Sequence, residues 1–355
     1  MSHYHAPLAS PPVTITATAP IRICDIGGWT DTWVARHGAV FNIAVRPLVE
    51  VEIQTFPRGQ GQARIVIDAV NYGVRYTPDL DGPDWGAHPL LEAALGTIRP
   101  PDDLDITITI GSDAPAGAST GTSAAVVVAL LGALDRLAGG TRSAHTIAAE
   151  AHAVETVKLG RQCGVQDQLC SAYGGINFIE IVEYPHARVQ QLEAPQGVLD
   201  ELSRRLSLVY LGRPHESSAV HEQVMVTLER LGPDCPQLEA LRGAAHKGRD
   251  SLMAGGLGAL GRAMRENTEA QAWLHADLVH RDTWRLIEIA RAHGALGWKV
   301  NGAGGDGGSL TILSDDRDAA RQRMLQEIRQ EHTQAVVIPI ALSRDGLSVA
   351  ERLEC

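Results

Sequence analysis

The chain has 355 residues, of which 31 are Lys or Arg and 42 are Asp or Glu, so its formal net charge at pH 7 is −11. An acidic chain lacks the basic face of nucleic-acid-binding proteins and is not attracted to anionic membranes. Apolar residues make up 44% of the chain and charged residues 21%, a composition that excludes wholesale disorder. We therefore expect neither a nucleic-acid partner nor a membrane partner.

The N-terminal residues and the cysteines indicate the cellular compartment in which we expect the protein. Residues 1–12 lack the charged start and long apolar block of a secretory signal, and we interpret them as a flexible leader. The five cysteines are odd in number, widely spaced and without a CxxC pair, so we expect neither a disulfide framework nor a zinc site. These features favour a reduced, cytoplasmic protein.

The first half of the chain alternates strands and helices. Residue patterns predict strands at 13–19, 39–45, 49–55 and 104–110, and residues 22–26 continue in extended form up to Gly27-Gly28. Periodic apolar residues predict helices at 124–137 and from an N-cap at Ser143 to about 159, and a strand follows at 176–182. The polar segment 185–196 carries two prolines and is a candidate connection between domains.

The second half begins with a predicted strand at 206–211. Helical patterns follow at about 217–231, 238–252, 256–269 and 284–293. A glycine-rich segment at 302–308 leads into a strand at 309–313, and the chain closes with a helix at about 317–331 and a strand at 335–342. Strands in groups, mixed with helices, favour an α+β protein of two lobes over a doubly wound sheet.

A loop of small residues opens the predicted helix at 124–137. A helix N-terminus offers free N–H groups and a partial positive charge, and small residues let a ligand approach the backbone, so the loop is a candidate phosphate cradle. It is not a Walker A loop, because no Lys follows Gly121. The alternative is an ordinary strand–helix turn. The candidate ligand-binding residues are Pro115, Gly117, Ala118, Ser119, Thr120, Gly121, Thr122, Ser123 and Ala124.

Two further segments could carry chemistry. Glu155 lies late on a predicted helix and Asp167 lies in a turn twelve residues later, a pair that suits one magnesium ligand and one base. Their alternative is a solvated helix Glu and a turn Asp. Residues 302–308 contain five glycines, which cost chain entropy unless the backbone adopts unusual angles or contacts a ligand. A tight bend packed on the first loop is the alternative there, and both can hold together.

These segments resemble the three signature motifs of the GHMP kinase superfamily. Residues 19–31 resemble the RxxxxGGxTD pattern, residues 115–125 resemble PxxxGLGSSAA, and residues 299–308 resemble KxxGAGGGG. The resemblance runs from about residue 14 to 342. It implies a two-lobed α+β fold, with an N-terminal mixed α/β domain like ribosomal protein S5 domain 2 at 13–195, which holds the phosphate loop. A ferredoxin-like C-terminal domain is implied at 196–355.

The resemblance also implies roles for individual residues. Ser123 and Glu155 match the family's magnesium-binding residues, and Asp167 matches the Asp that faces the attacking hydroxyl. Arg22 matches the Arg beside that Asp, where a guanidinium would keep the carboxylate ionised. Asp31 matches the Asp that binds sugar hydroxyls. The other predicted substrate contacts are Gly28, Trp29, Thr30, Gly164, Gln166, Gly304, Gly305 and Asp306.

Details within the motifs indicate a branch of the superfamily. Gly28-Trp29 stands where galactokinases have Glu-His, and the stretch resembles fucokinases and D-glycero-D-manno-heptose 7-phosphate kinases. Arg213 and His215 could contact a substrate phosphate, or could belong to a solvated helix start. Asp25 stands where the family has an apolar residue, and Asp306 interrupts the third motif. We expect Asp306 to point away from the triphosphate or to contact a substrate hydroxyl.

The resemblance implies a sugar kinase of carbohydrate metabolism that uses ATP and Mg²⁺. The expected acceptor is a hydroxyl, with the anomeric one favoured, of a heptose 7-phosphate, a fucose-like sugar or a related monosaccharide. A GHMP kinase for a non-sugar alcohol and a catalytically silent sugar sensor are the alternatives. The expected partners are the sugar and ATP alone, and the protein is expected to be a monomer or a homodimer.

Overall fold

A computed structural model describes residues 12–80, 85–213 and 218–353. The predicted leader at 1–12 therefore lies almost wholly outside the described residues. The described chain forms two β-sheets with helices packed against them, so the predicted α+β class is confirmed. None of the helices in these ranges is long and apolar enough to cross a membrane.

The strands and helices alternate irregularly along the chain. The strands are β1 (Val13–Ile26), β2 (Gly38–Pro57), β3 (Ile65–Ala69), β4 (Val74–Tyr76), β5 (Leu104–Ser112), β6 (Ile176–Glu183), β7 (His186–Gln191), β8 (Leu206–Tyr210), β9 (Gly297–Val300), β10 (Ser309–Leu313), β11 (Val336–Ile338), β12 (Ala341–Leu342) and β13 (Ser348–Leu353). The helices are α1 (Pro89–Leu95), α2 (Thr122–Leu137), α3 (Ala144–Ala153), α4 (Gln166–Tyr173), α5 (Gln196–Arg205), α6 (Ser218–Leu231), α7 (Pro236–Met253), α8 (Leu257–Leu274), α9 (Arg281–Ala292) and α10 (Asp318–Glu331).

The first sheet has nine strands and is organised around the long strand β2. Its main path runs β13-β1-β2-β5-β3-β4, while β6 and β12 also pair with β2, and β7 pairs with β6. All pairings are antiparallel except β3 with β5. Helix α2 is buried along most of its length against β1, β2 and the neighbouring helices, because its sequence is nearly all Ala, Val and Leu.

The second sheet has four strands in the order β11-β8-β10-β9, all antiparallel. Helices α6 to α9 connect β8 to β9, and α10 connects β10 to β11. Strands in the sequence order 4-1-3-2, with helices in the first and last connections, form the ferredoxin-like arrangement that the resemblance implied.

Several predicted elements differ from the structure. The two strands predicted at 39–45 and 49–55 form one continuous strand, β2. The candidate connection at 185–196 contains β7, and the strand predicted at 335–342 is divided into β11 and β12. Strand pairing decides these cases: β7 pairs with β6, and β12 leaves the second sheet to pair with β2. The predicted domain boundary after residue 195 stays a prediction.

Candidate active site

The loop of small residues curls around the start of α2. Gly117, Ser119 and Gly121 all have positive φ values, of 73°, 55° and 69°. Gly121 is the N-cap of α2, and no side chain caps that end of the helix. The first N–H groups of α2 are therefore left to a ligand, and the partial positive charge of the helix end favours an anion there.

This loop forms one wall of a cavity of about 420 Å³, which we call the loop cavity. Its volume lies in the range of about 300–1,000 Å³ that is usual for small-molecule sites. Of the predicted loop residues, Gly117 to Ser123 line it, whereas Pro115 and Ala124 do not. The opposite wall comes from residues that the sequence did not single out: Ala69, Asn71, Tyr72, His88, Leu90, Leu91 and Ile110.

Arg22 and Asp167 form a two-pronged ion pair at the edge of this cavity. Arg22 Nε lies 2.8 Å from Asp167 Oδ1, and Arg22 Nη2 lies 3.3 Å from Asp167 Oδ2. The same guanidinium donates to the carbonyl oxygen of Ser119, and the Arg22 backbone N–H donates to that of Thr120. Burial lowers the pKa of Arg22, but the charges of Asp167 and Asp25 outweigh it and hold that pKa above its usual value. Arg22 thus ties the carboxylate to the loop.

A second cavity, of about 250 Å³, lies on the other side of this ion pair, and we call it the acidic cavity. It is lined by four carboxylates together with polar and small residues: Arg22, Asp25, Trp29, Asp31, Thr32, Ser123, Ala124, Glu155, Gln162, Cys163, Gly164, Gln166, Asp167, Gln168, His221, Gly302 and Ala303. Arg22, Ser123, Asp167, Gly302 and Ala303 line both cavities. Two ligands bound side by side would therefore meet at the Arg22–Asp167 pair.

Asp31 is buried in the wall of the acidic cavity. Its Oδ2 accepts a hydrogen bond of 3.1 Å from the backbone N–H of Gln166. A Cβ at Gly164 would lie 1.9 Å from the same oxygen, so only glycine fits beside this carboxylate. Burial raises the pKa of Asp31 to about 6; the hydrogen bond from Gln166 opposes that shift and the charge of Asp167 adds to it. Asp31 therefore titrates near neutral pH.

Trp29 closes one side of the acidic cavity together with a residue that was not predicted. Its ring stacks on His221 of α6, with centroids 5.1 Å apart and an interplanar angle of 30°. Trp29 has a φ of 79°, which turns the chain sharply within the first motif. Burial lowers the pKa of His221, which favours the neutral imidazole. Nothing in the local pattern of α6 distinguishes His221, so the sequence held no signal for this contact.

Glu155 lies in a turn of π-helix, Val154–Lys158, directly after α3. Such turns often occur at functional sites. Its Oε1 accepts a 2.9 Å hydrogen bond from Gln168 Nε2. Burial raises the pKa of Glu155, and the bond from Gln168 opposes that shift. Glu155 and Ser123 both line the acidic cavity, so a buried carboxylate and a hydroxyl are available there to one cation.

A buried ion pair joins the first and third motifs. Lys299 Nζ lies 3.4 Å from Asp25 Oδ1 and 3.2 Å from Gln271 Oε1. Asp25 Oδ2 accepts a 3.0 Å bond from the backbone N–H of Gly302. Burial lowers the pKa of Lys299, and the charge of Asp25 opposes that effect. Asp25, which breaks the apolar pattern of the family, thus holds the glycine-rich segment against β1.

The structure places five predicted substrate contacts outside both cavities: Gly28, Thr30, Gly304, Gly305 and Asp306. Thr30 Oγ1 donates to the carbonyl oxygen of Gly27 at 2.7 Å, so this hydroxyl is engaged by its own chain. A Cβ at Gly304 would lie 2.1 Å from the carbonyl oxygen of Leu278, and Gly305 N–H donates to that oxygen. Gly304 and Gly305 therefore pack on the turn at Leu278 and not on the loop of small residues, whereas Gly302 lies against that loop, where an added Cβ would be 3.2 Å from Ser119 Cβ, and lines both cavities.

Three more polar residues were candidates for contact with a substrate or a phosphate. Asp306 is exposed and does not line the loop cavity, in keeping with the expectation that it points away. Arg213 forms an ion pair with Asp282 and lines neither cavity. His215 lies outside the described residues.

Family models match both halves of the chain. The model for the GHMP kinases N terminal domain matches residues 86–175, and the one for the GHMP kinases C terminal domain matches residues 249–329. A mevalonate kinase of Methanothermobacter thermautotrophicus is 30% identical over 267 residues, which are 73% of this chain and 81% of the relative. The chain belongs to the GHMP kinases. Membership of this family supports a phosphotransferase with an alcohol group as acceptor, so the predicted resemblance and enzyme class are confirmed.

Two other similar proteins are named as kinases of a sugar or a sugar phosphate. A bifunctional fucokinase/GDP-fucose pyrophosphorylase of Arabidopsis thaliana is 28% identical over 341 residues, which are 89% of this GHMP kinase. The chain spans only 31% of that relative's length. The crystal structure of a D-glycero-D-manno-heptose 1-phosphate kinase from Bacteroides thetaiotaomicron superposes with a TM-score of 0.72. It is 20% identical and covers 95% of this chain and 98% of its own, so it supports the fold alone.

Proposed function

We propose that this GHMP kinase transfers a phosphoryl group from ATP to a hydroxyl of a monosaccharide, with the anomeric hydroxyl as acceptor. The observation that carries the proposal is the meeting of the two cavities at the Arg22–Asp167 pair. Heptose 7-phosphate, fucose-like sugars and related monosaccharides are the candidate acceptors.

The loop cavity suits the nucleotide. The free N–H groups at the start of α2 and the left-handed residues Gly117, Ser119 and Gly121 present backbone to a triphosphate. The cavity extends from this loop towards Tyr72 and His88, which leaves room for the rest of the nucleotide. Backbone N–H groups can hold phosphate without many Lys or Arg residues, so the net charge of −11 does not oppose this assignment.

The chain's own residues fit a magnesium ion. Glu155 is a buried carboxylate whose pKa is raised by burial, against the opposing effects of the Gln168 hydrogen bond and the charge of Arg161, and Ser123 lines the same cavity. Carboxylate and hydroxyl oxygens are the donors that Mg²⁺ prefers, usually together with phosphate oxygens. We propose Ser123 and Glu155 as its protein ligands. Bound Mg²⁺ would offset negative charge on the phosphates.

Asp167 is proposed to act on the acceptor. Its carboxylate orients the acceptor hydroxyl and takes its proton as the new bond from oxygen to phosphorus forms and the bond to ADP breaks. The two bonds from Arg22 fix the plane of this carboxylate. The positive charge of Arg22 lies between the two cavities, where negative charge builds up on the transferring group. Because the two ligands meet at this pair, the reacting groups are held close together, and this proximity also lowers the barrier to transfer.

The sugar class rests on the acidic cavity and the relatives. Asp31 and Trp29 in the first motif offer a carboxylate for hydroxyl groups and a flat apolar ring, and the fucokinase relative shares 28% identity. The mevalonate kinase relative supports the second candidate, a kinase for a non-sugar alcohol.

A coupled assay of ADP release tests the proposal directly. The acceptors are fucose, galactose, arabinose, mannose, glucuronate, N-acetylhexosamines, heptose 7-phosphate and mevalonate. We expect at least one monosaccharide to raise ADP release well above the rate with ATP alone. Turnover of mevalonate only would support the second candidate. ATP binding without ADP release for any acceptor would instead favour a sugar sensor.

Two further expectations stay proposals. The cysteines within the described ranges, Cys24, Cys163, Cys170 and Cys235, are free thiols, which supports a reducing compartment such as the cytoplasm. We propose a monomer or a homodimer that needs no macromolecular partner for the reaction.

A further inference from the structure

We infer that the acceptor is an uncharged, polyhydroxylated monosaccharide rather than a sugar phosphate or a hydroxy acid. This inference rests on the proposed function and narrows its substrate class. It is carried by the charges of the acidic cavity and by unpaired polar atoms in its wall.

The positive charges of the acidic cavity are already engaged. Arg22 is the one Lys or Arg among its described lining residues, and it pairs with Asp167 at 2.8 Å and approaches Asp25 at 4.0 Å. Behind the wall, Lys299 pairs with Oδ1 of Asp25, the same oxygen that Arg22 approaches. His221 stacks on Trp29, and burial favours its neutral form. None of the described lining residues therefore has a cation left for an anionic substituent of the acceptor, and Arg161, exposed just outside the lining, acts on Glu155.

The negative charges are in excess. Asp25, Asp31, Glu155 and Asp167 all line the cavity. Glu155 is assigned to Mg²⁺, and Asp25 and Asp167 have their cations. Among the described residues, the partners of the Asp31 carboxylate are the backbone N–H groups of Gln166 and of Asp31 itself, and no described basic side chain offsets its charge. The phosphates of a nucleotide in the loop cavity would add further negative charge beside the acidic cavity. A phosphate or carboxylate on the acceptor would be repelled at short range in a site of low dielectric constant.

Unpaired polar atoms in the same wall favour hydroxyl groups. Trp29 Nε1, Gln166 Oε1 and Gln168 Oε1 are buried and have no hydrogen-bond partner. Their side chains belong to residues that are only 6%, 6% and 1% exposed. Buried polar atoms are nearly always paired in native proteins, so these three are available to a bound ligand or to an ordered water.

The type of unpaired atom distinguishes between ligands. The amide of Gln168 donates through Nε2 to Glu155, so its free atom is the acceptor Oε1. A hydroxyl group can donate to such an acceptor and can also accept from the indole N–H of Trp29. A carboxylate or an ionised phosphate only accepts, so the part of the ligand that faces Gln168 Oε1 must be a hydroxyl group and not its anionic group. Several hydroxyls on one small ligand would satisfy donor and acceptor atoms together.

The size of the cavity agrees with a small acceptor. Its volume of about 250 Å³ lies below the usual range of about 300–1,000 Å³ for ligand sites. A single sugar ring suits this space better than a ring that carries an additional hydrated phosphate.

Matched pairs of acceptors test the inference in the coupled ADP assay. The pairs are mannose and mannose 6-phosphate, galactose and galactose 6-phosphate, and D-glycero-D-manno-heptose with its 7-phosphate, with mevalonate as the hydroxy acid. We expect kcat/KM of the neutral member to exceed that of its phosphorylated partner by about tenfold or more. A preference for the phosphorylated members or for mevalonate overturns the inference. Preference for a sugar phosphate leaves the proposed sugar kinase intact, whereas turnover of no sugar overturns both.

A charge variant locates the source of the preference. Asp31→Asn removes the unpaired carboxylate and should reduce the ratio of kcat/KM between neutral and phosphorylated acceptors several-fold. Asp102→Asn removes the same charge from a fully exposed side chain and should leave that ratio unchanged. An equal ratio in Asp31→Asn and wild type, with both proteins folded by circular dichroism, would contradict the charge argument.

Discussion

The two cavities on either side of Arg22 and Asp167 are built in different ways. The loop cavity takes one wall, the proposed phosphate cradle, from consecutive small residues between 116 and 123, so backbone atoms dominate that wall. The acidic cavity takes its wall from side chains of β1, the turn that follows it, the π-helical turn, α4 and α6. The first is recognisable as a local motif, while the second exists only once the chain has folded.

This difference suggests how the family can vary its acceptor while keeping its donor. A backbone cradle tolerates few substitutions, because each residue must keep its φ value and must fit between small neighbours. A wall of side chains from separate elements can change one residue at a time. Substitutions in the two cavities should therefore have separable effects, on the nucleotide in one and on the acceptor in the other.

The largest effect is expected at the group shared by the two cavities. Asp167→Asn removes the proposed proton acceptor and should lower kcat about a hundredfold or more, because general-base groups contribute at that level. ATP binding, followed by thermal shift, should remain near that of wild type. Asp102→Asn, on the surface, is the matched control. Turnover of Asp167→Asn within a few-fold of wild type would remove Asp167 from the mechanism.

The ion pair that joins the two motifs sets the stability of the wall between the cavities. Asp25→Asn leaves the buried Lys299 without its carboxylate, and Lys299→Met leaves the buried Asp25 with only the more distant Arg22, so each should lower the free energy of unfolding by about 3–5 kcal/mol. The double variant, with both charges removed, should recover part of this loss. Urea unfolding of the three variants measures it. A double variant less stable than both single variants would show that the pair is not the source of the effect.

The acidic cavity should respond to pH through Asp31. Because its folded pKa is about 6, protonation below that pH removes the charge that we propose binds acceptor hydroxyls. We expect kcat/KM for the sugar to fall about tenfold between pH 7 and pH 5, with KM for ATP much less affected. In Asp31→Asn, kcat/KM for the sugar should be lower at pH 7 and should change less with pH. An unaltered profile in that variant would assign the titration to another group.

The same carboxylate should cost stability at neutral pH. Its folded pKa lies above the usual value of 3.8, so ionisation weakens the folded state as pH rises from about 4 to above 6. A shift of this size corresponds to a cost on the order of 3 kcal/mol. Asp31→Asn should therefore raise Tm at pH 7.5 by a few degrees, and the gain should shrink towards pH 4. A lower Tm at both pH values would contradict this sign.

The smallest effect is expected from a single methyl group in the loop cavity. Gly121→Ala would place a Cβ 3.2 Å from Asp167 Cγ at a φ of 69°, so we expect KM for ATP to rise several-fold with a stability loss of about 1 kcal/mol. Gly139→Ala is a matched control, because Gly139 has a φ of 72° and nothing within 4 Å of an added Cβ. Gly139→Ala should lose a similar amount of stability through backbone strain, but its KM for ATP should stay at the wild-type value. Equal KM values in both variants would argue against a phosphate cradle at Gly121.

Local patterns predicted much of this architecture. The strand before the loop, the helix after it and the N-cap at Ser143 lie where the sequence indicated, because each depends on neighbouring residues. The contacts that complete the acidic cavity join residues far apart in sequence. Lys299 and Asp25 are 274 residues apart, and His221 of α6 contacts Trp29 in the turn after β1. No local pattern encodes such a distance, so in the sequence Asp25 stands out only as a charged residue at an apolar position.

The most direct test of phosphoryl transfer between the two cavities is phosphorus NMR of the product made from ATP and the preferred neutral sugar. We predict one new phosphate ester signal, coupled to the anomeric proton, that grows in step with ADP. Release of inorganic phosphate in place of a sugar ester would contradict the central claim that the Arg22–Asp167 pair directs the phosphoryl group to an acceptor hydroxyl.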